Sequence, residues 1–424
     1  MEPALPFPPP LKGPSSAASL PPASDRPAGP GRSGWLDALR GLAALLVAFD
    51  HSSYAFMAEL RGQLTPAVDI GRYGVLMFFL VSGYVIPMSL ERRGCVRTFW
   101  IGRIFRVYPL WTVVVGSVLI LDLVGVASTH ARFAGRSPAT VAAAHVTLLQ
   151  ELLGTPSVLL VLWTLSYEMA FYLLVVGLFT VRLHRRSATV AVVLGVLAAA
   201  SVTAGVVPPA SALSAAIGVG TLVALVTSLL VIAVCCASSG SSALRVSGGV
   251  AGGVLALVLV PSNGTVPLWE GLVILAVMFL GSAVQRAENG RITWSAAART
   301  AVVVVGCAVG SAYGYGDGDH FARRGWITAF LLAVLTFGAA LASRRRTFPR
   351  MLTGLGTISY SVYLVHPVLL AVSDSVIGRW RRDNPVLEAA FFAVLLPLSL
   401  LTYRRVEAPG RAWGRERARR GRPM

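Results

Sequence analysis

Arg40 and His51 fall in the first long apolar stretch of the chain, LDALRGLAALLVAFDH, where an ionisable side chain is costly unless it has a partner or a task. If residues 36–56 form a membrane helix, the eleven positions between the two make almost a whole number of turns. They then share one face, roughly 16 Å apart along the axis. A neutral imidazole in a dry site can take the proton of a hydroxyl and so make that hydroxyl a nucleophile toward a carbonyl. The competing reading is a packed, hydrogen-bonded His51 and an Arg40 that snorkels to the interface, and residue type alone weights the two equally. Asp50 adjoins His51 but points about 100° away on a helix, and the sequence offers no physical account of its charge there.

Three further segments carry candidate chemistry. ERRGCVRTFWIGRIFRVYP, Glu91 to Pro109, reads as a loop between the second and third spans. Its Arg103 and Arg106 are three apart, a cationic fork in a helical turn, suited to the phosphates of a nucleotide-bearing donor. A positive-inside anchor, with Trp100 and Tyr108 as interfacial aromatics, explains the same residues more simply. WTLSYEMAFY, Trp163 to Tyr172, embeds Glu168 in an apolar run, where it needs an arginine or a hydroxyl as partner, in a structural ion pair or in a substrate contact. In ISYSVYLVHP, Ile358 to Pro367, Tyr360, Tyr363 and His366 recur every third residue as a polar seam. With Trp163 they are candidates for lining a pore or acceptor site. The alternative is that the seam bonds neighbouring helices, the reading favoured for Tyr360, while His366 stays open.

The elements that must position these residues are membrane helices. With 55% hydrophobic and 13% charged residues and a mean hydropathy of +0.69, the 424-residue chain is excluded from the ordinary soluble class. The formal charge of +18 does not point to nucleic acid, because the arginines lie in short runs between apolar stretches. The fold class expected is an all-α polytopic bundle of 10–12 transmembrane helices, from apolar runs near 36–57, 71–90, 109–127, 158–181, 188–207, 213–235, 247–261, 267–285, 300–315, 325–343, 351–373 and 386–403. The short, glycine-rich runs at 247–261 and 300–315 are candidates for half-spans. Both counts put the termini on one side, and placing them in the cytoplasm assigns most of the 37 basic residues to cytoplasmic segments. Residues 1–34, rich in Pro, Ala and Gly, read as a disordered cytoplasmic tail, 35–411 as the membrane domain and 412–424 as a basic cytoplasmic tail. The four cysteines show no disulfide framework or metal-ligand spacing, and the small residues suit close helix packing better than any repeat.

Taken together, LDALRGLAALLVAFDH, FFLVSGY (Phe78–Tyr84), FWIGRIFRVYP, WTLSYEMAFY, ISYSVYLVHP and YRRVEAPGR (Tyr403–Arg411) resemble the acyltransferase-3 family of integral membrane acyltransferases, in that family's order. The likeness covers about Trp35–Arg186 and Leu352–Arg411, while 188–350 matches only in being apolar. The resemblance implies transfer of an acyl group, commonly acetyl, from cytoplasmic acyl-CoA to a hydroxyl of a sugar, a lipid-linked glycan or a secondary metabolite. No bound cofactor is implied, and the protein would sit multi-pass in the cell membrane. His51 takes the position of the family's essential histidine, Arg40 that of its paired basic residue, and Arg103 and Arg106 the positions associated with donor binding. Glu168 is a candidate for fixing the acceptor or the imidazole. His51 would act as general base, or as the nucleophile of an acyl-imidazole route. After Arg411 the sequence leaves no room for the extracytoplasmic hydrolase-like domain that some members carry. Two readings compete: a transporter or flippase using the intramembrane Arg, His and Glu as a path, and an inactive scaffold, against which the joint presence of Arg40, His51, Arg103 and Arg106 argues.

Overall fold

The computed structural model describes residues 34–127, 133–206, 208–209, 211–318, 321–380 and 382–420, so the tail read over 1–34 lies outside it but for Gly34. Helices dominate. In chain order they are α1 (Gly34–Phe56), α2 (Ala58–Leu64), α3 (Ile70–Arg93), α4 (Val96–Leu123), α5 (Pro138–Val146), α6 (Trp163–Thr180), α7 (Ser187–Thr203) and α8 (Ala212–Ile217). There follow α9 (Val219–Ala237), α10 (Ser242–Asn263), α11 (Leu268–Glu288), α12 (Trp294–Tyr315), α13 (Arg323–Ala342), α14 (Arg350–Val376), α15 (Pro385–Thr402) and α16 (Ala408–Arg420). Among the described residues the only extended pairing is an isolated bridge between Gly318 and Phe321. Eleven segments are long and apolar enough to cross a membrane. α1 carries Asp37, Arg40 and Asp50 and falls outside that set, yet it packs lengthwise on α14 and α3 and makes the twelfth long helix of the bundle. The protein is an all-α, multi-pass membrane protein.

Three expectations change. The segment Glu91–Pro109 is not a loop: Gly94, at φ 63°, and Cys95 are all that separates α3 from α4, a 28-residue helix that contains both Arg103 and Arg106. The runs at 247–261 and 300–315 are not half-spans, because α10 and α12 have 22 residues each. Their glycines had concealed this, since glycine lowers apparent apolarity while serving close contact. Gly248 packs on Ala237 and Gly249 on Thr180, where a Cβ would stand 2.4 and 2.1 Å from its neighbours. Finally, the last helical segment does not stop with the apolar run at 386–403 but continues into the basic stretch. A π-helical turn, Tyr403–Glu407, leads α15 into α16, and the helix runs on to Arg420.

The connecting segments sort into two groups. At one end Glu91 bridges Arg286 and Arg291, Arg286 reaches the His184 carbonyl, and Glu288 bonds Arg344 and Tyr84. These are the arginine-rich connections. At the other end Asp383 caps α2 through the Glu59 and Leu60 amides, Glu270 holds Arg72 and Trp326, and Asn263 ties Ser214 to Leu152. Twelve passes account for this strict alternation. α11 is the most enclosed helix, set among α3, α7 and α12. Its crossing with α3 is so close that a Cβ on Gly83 would overlap the Met278 carbonyl.

Candidate active site

The site lies between α1, α3, α4, α6 and α14, entered from the arginine-rich end. α1 and α14 meet at glycines: Gly41 faces Leu355 and Gly356 faces the Asp37 backbone, with no room for a side chain at either position. This crossing aligns the two faces that carry the ionisable groups. Farther along the same pair, His51 Nδ1 and His366 Nε2 stand 2.9 Å apart with the rings nearly parallel, at 14°. His366 is fully buried, and its Nδ1 lies 3.0 Å from the Val362 carbonyl oxygen. Pro367 follows at once; lacking an N–H, it leaves the Tyr363 carbonyl without its helical donor and opens that edge of the turn to the imidazole.

The hydrogen-bond directions along this chain follow from the groups present. A carbonyl only accepts, so His366 Nδ1 carries a hydrogen and, in the neutral ring, His366 Nε2 is the acceptor. His51 Nδ1–H must then donate to it. That leaves His51 Nε2 with its lone pair, and among the described residues no hydrogen-bond partner takes it. An imidazole oriented in this way can accept a proton from a hydroxyl or attack a carbonyl.

Two adjoining cavities lie between the arginine-rich end and this region, and neither is lined by His51 or His366. The outer, about 270 Å³, has Arg40, Arg106, Arg411 and Arg415 in its wall, with Asp37 and Glu407 as counter-charges. Arg40 pairs with Asp37 at 3.0 Å and Arg411 with Glu407 at 3.3 Å. The inner, about 80 Å³, shares Arg40, Arg106, Ser359 and Tyr360 with it, has Glu168 and Ser82 toward that same end, and becomes apolar along Val75, Phe78, Phe79 and Leu165 toward Thr164 and Tyr363. The Tyr363 ring stands 6.0 Å from that of His366. A cationic mouth, an apolar throat and a histidine pair thus follow one another along the bundle.

The residues singled out from sequence divide accordingly. Arg40 and Arg106 border both cavities, whereas Arg103 turns away, donating to Ser89 and lying over the rings of Phe99 and Tyr172. The fork expected of a three-residue spacing does not form, because α3 offers Arg103 a hydroxyl, α6 the face of Tyr172 and α4 itself the face of Phe99. Glu168 accepts from Tyr172 at 2.6 Å and faces the throat. Tyr360 donates to the Val107 carbonyl, and Tyr363 bonds Thr164 and the Val161 carbonyl, so both fix their neighbours while walling the cavity. Trp163 sits away from the throat, against Phe79, Tyr167 and the guanidinium of Arg72. Asp50 finds its account in Arg61, which bonds its carboxylate at 2.6 Å, its carbonyl and Ser53, and lies over Tyr54.

Sequence reasoning missed Asp37, Tyr403, Glu407, Arg411 and Arg415 as parts of the mouth. The available signal was Glu407 and Arg411 at i, i+4 in YRRVEAPGR, which places one carboxylate and one guanidinium on a single face. Among the described residues no group of three or more His, Cys, Asp or Glu side chains could hold a metal ion.

Comparison with known proteins adds two findings. A family model described as an acyltransferase domain matches residues 33–404. "Acyltransferase MdmB" of Streptomyces mycarofaciens is 31% identical over 147 residues, which are 32% of this chain and 37% of that protein. The chain thus spans little more than a third of the length of this curated relative. No solved structure matches.

Proposed function

The chain belongs to the acyltransferase-3 family, and from that premise we propose that it is a membrane O-acyltransferase, moving an acyl group, commonly acetyl, from cytoplasmic acyl-CoA to a hydroxyl. The acceptor class is a sugar, a lipid-linked glycan or a secondary metabolite, and the membrane is the cytoplasmic one. The single observation that carries the reading is the order along the bundle: a mouth bordered by four arginines, an apolar throat that ends at Tyr363, and behind that ring a histidine pair with one free ring nitrogen.

Coenzyme A has the matching order: phosphates at one end, a long uncharged arm, and the thioester at the other end. In the proposed mechanism Arg40 and Arg106 hold phosphates at the mouth. The arm passes Phe78 and Tyr363 and delivers the thioester to the pair. His51 Nε2 takes the acceptor's hydroxyl proton as its oxygen attacks the thioester carbonyl. Collapse of the tetrahedral intermediate breaks the C–S bond, and the departing thiolate regains the proton from His51, giving ester and free CoA. His366 is a positioning residue: it fixes the tautomer and orientation of His51 and shares the charge that develops there, as a buried acceptor does for a catalytic histidine. The uncovered lone pair equally suits attack on the thioester, so the proposal commits to one test on this point. Rapid acid quench with labelled acyl-CoA leaves no label on His51 if that residue is a base, whereas a labelled His51 replaces this mechanism by a two-step one.

The overall reading is tested by mass spectrometry of envelope glycans, lipids and secreted metabolites from a strain lacking the protein, complemented with the native chain or with His51→Ala. Restoration of an acyl-sized mass by the native chain alone supports it and identifies the acceptor. Full restoration by His51→Ala removes His51 from the chemistry, and appearance of an unmodified compound across the membrane moves the reading to transport.

A further inference from the structure

We infer that α16 is the outer half of the donor site, with Arg411 and Arg415 binding the ribose-phosphate end of coenzyme A. This assignment deepens the acyl-CoA reading and rests on it. It concerns a segment that sequence alone presents as a tail, and that the bundle does not need for a span.

Three observations place α16 in the site. First, it is built into position. Gly410 lies against Pro109 and Gly414 against Phe105, where a Cβ would come within 2.7 and 2.5 Å, and Arg417 lies over the Phe105 ring. These contacts seat α16 on α4, the helix that carries Arg106. Second, the π-helical turn Tyr403–Glu407 redirects the chain at the mouth. An extra residue in a helical turn rotates everything after it, and such turns recur where side chains must be re-aimed. The turn is pinned from inside by Ser361 of α14, which donates to Glu407 at 2.9 Å, and Glu407 is only 3% exposed. Third, the charges are uneven. Of the four guanidiniums in the mouth, Arg40 and Arg411 have carboxylate partners, while Arg106 and Arg415 have none among the described residues. Two unmatched cations facing one cavity from α4 and α16 repel each other unless an anion lies between them.

The order of depth then assigns the phosphates. Arg40 and Arg106 border both cavities and meet the start of the throat, so they face the diphosphate that adjoins the arm. Arg411 and Arg415 border only the outer cavity, and Arg415 is solvent-exposed, the position of the phosphate farthest from the thioester. Arg415 needs no role in folding: its side chain makes no ion pair or hydrogen bond among the described residues.

The test uses the full chain in nanodiscs, titrated with CoA and with dephospho-CoA, which lacks the ribose phosphate. The native protein should prefer CoA by about tenfold, the effect of one charge-assisted contact. Arg415→Ala should weaken CoA by a similar factor, leave dephospho-CoA unchanged and so erase the preference, and Arg415→Lys should restore part of it. Gly414→Val, which unseats α16 without removing a charge, should also weaken CoA. Arg419→Ala, an exposed arginine of α16 that borders neither cavity, serves as the charge control and should leave both ligands unaffected. If the native chain binds CoA and Arg415→Ala binds both ligands identically to it, the assignment of α16 fails while the donor reading stands. If the native chain binds neither ligand, the donor reading fails and the assignment with it. An Arg415→Ala effect that appears only in discs containing anionic lipid assigns the arginine to the membrane surface instead and overturns the inference.

Discussion

At the scale of single residues, the site turns on which nitrogen of His51 is left free. His366 decides that by accepting from Nδ1 while its own Nδ1 is held by the Val362 carbonyl. Replacing His366 with Ala should lower kcat by a factor on the order of 10²–10⁴ and leave the KM for acyl-CoA nearly unchanged, since the ring orders the base and does not touch the donor's phosphates. His366→Gln, which can still present an acceptor, should recover part of the loss; an equal loss in both variants would mean that His366 does more than accept a hydrogen bond. Arg103 and Arg106 give the complementary contrast. Arg106→Ala should raise the KM for acyl-CoA about tenfold or more with little change in thermal stability. Arg103→Ala should do the reverse, costing about 1–3 kcal/mol through the lost Ser89 bond and the two ring contacts, with KM unmoved. Steady-state kinetics beside thermal unfolding in detergent separates the two. Arg40 and His51 were legible because a whole number of turns puts two costly residues on one face. The division between Arg103 and Arg106 was not, because positions three apart differ by only about 60° on a helix and the surroundings contributed by α3 and α6 decide the outcome. Nor was the His51–His366 bond, which joins positions 315 residues apart.

At the scale of elements, the histidine pair depends on two supports that make no contact with substrate. One is the glycine crossing of α1 and α14, where a Cβ on Gly356 would overlap the Asp37 carbonyl. Gly356→Val therefore has to push the helices apart. It should cost about 1–3 kcal/mol or more of stability and carry a loss of kcat with it, because both rings are mounted beyond the crossing. The other support is the pair Asp50–Arg61, whose side chains are 13% and 14% exposed. Removing one partner, as in Arg61→Met or Asp50→Asn, should cost about 2–3 kcal/mol, the low end for a buried pair since some solvent remains. The double variant should cost less than the two singles combined, and strict additivity in a double-mutant cycle would show that the pair contributes nothing as a pair. The positions of most helices were readable from apolar runs. Their ends were not: a 28-residue α4 looked like a loop followed by a span because its first turns carry arginines, and α16 looked like a tail because its composition is that of a solvated segment. In both cases neighbouring helices supply the aromatic faces and close backbone contacts that an apolarity count cannot register.

At the scale of the whole molecule, the proposed function requires the mouth to face the compartment that holds acyl-CoA. Most of the arginine-bearing connections gather at the end where the mouth opens, against Arg323, Arg324, Arg379 and Arg382 at the other, and the positive-inside tendency favours the mouth end for the cytoplasm. The twelve-pass alternation makes this a test of the entire topology, because every second connection must share the same side. Gly240 lies between α9 and α10 at the arginine-rich end, in open space, and Gln63 is exposed on α2 at the opposite end. In a background with Cys95, Cys235, Cys236 and Cys307 replaced by Ser or Ala, a membrane-impermeant thiol reagent applied to intact cells should label Gln63→Cys and spare Gly240→Cys. After permeabilisation both should react. Labelling of Gly240→Cys in intact cells would place the arginines outside, against the charge rule, and would leave the cationic mouth facing a compartment without its donor. The same outcome would break the proposed order of phosphate, arm and thioester, which has a direction only because the bundle does. Orientation therefore carries the proposed mechanism as directly as the histidine pair does: in that proposal the pair sets the reaction, and the arginine-rich end sets the side from which the acyl group arrives.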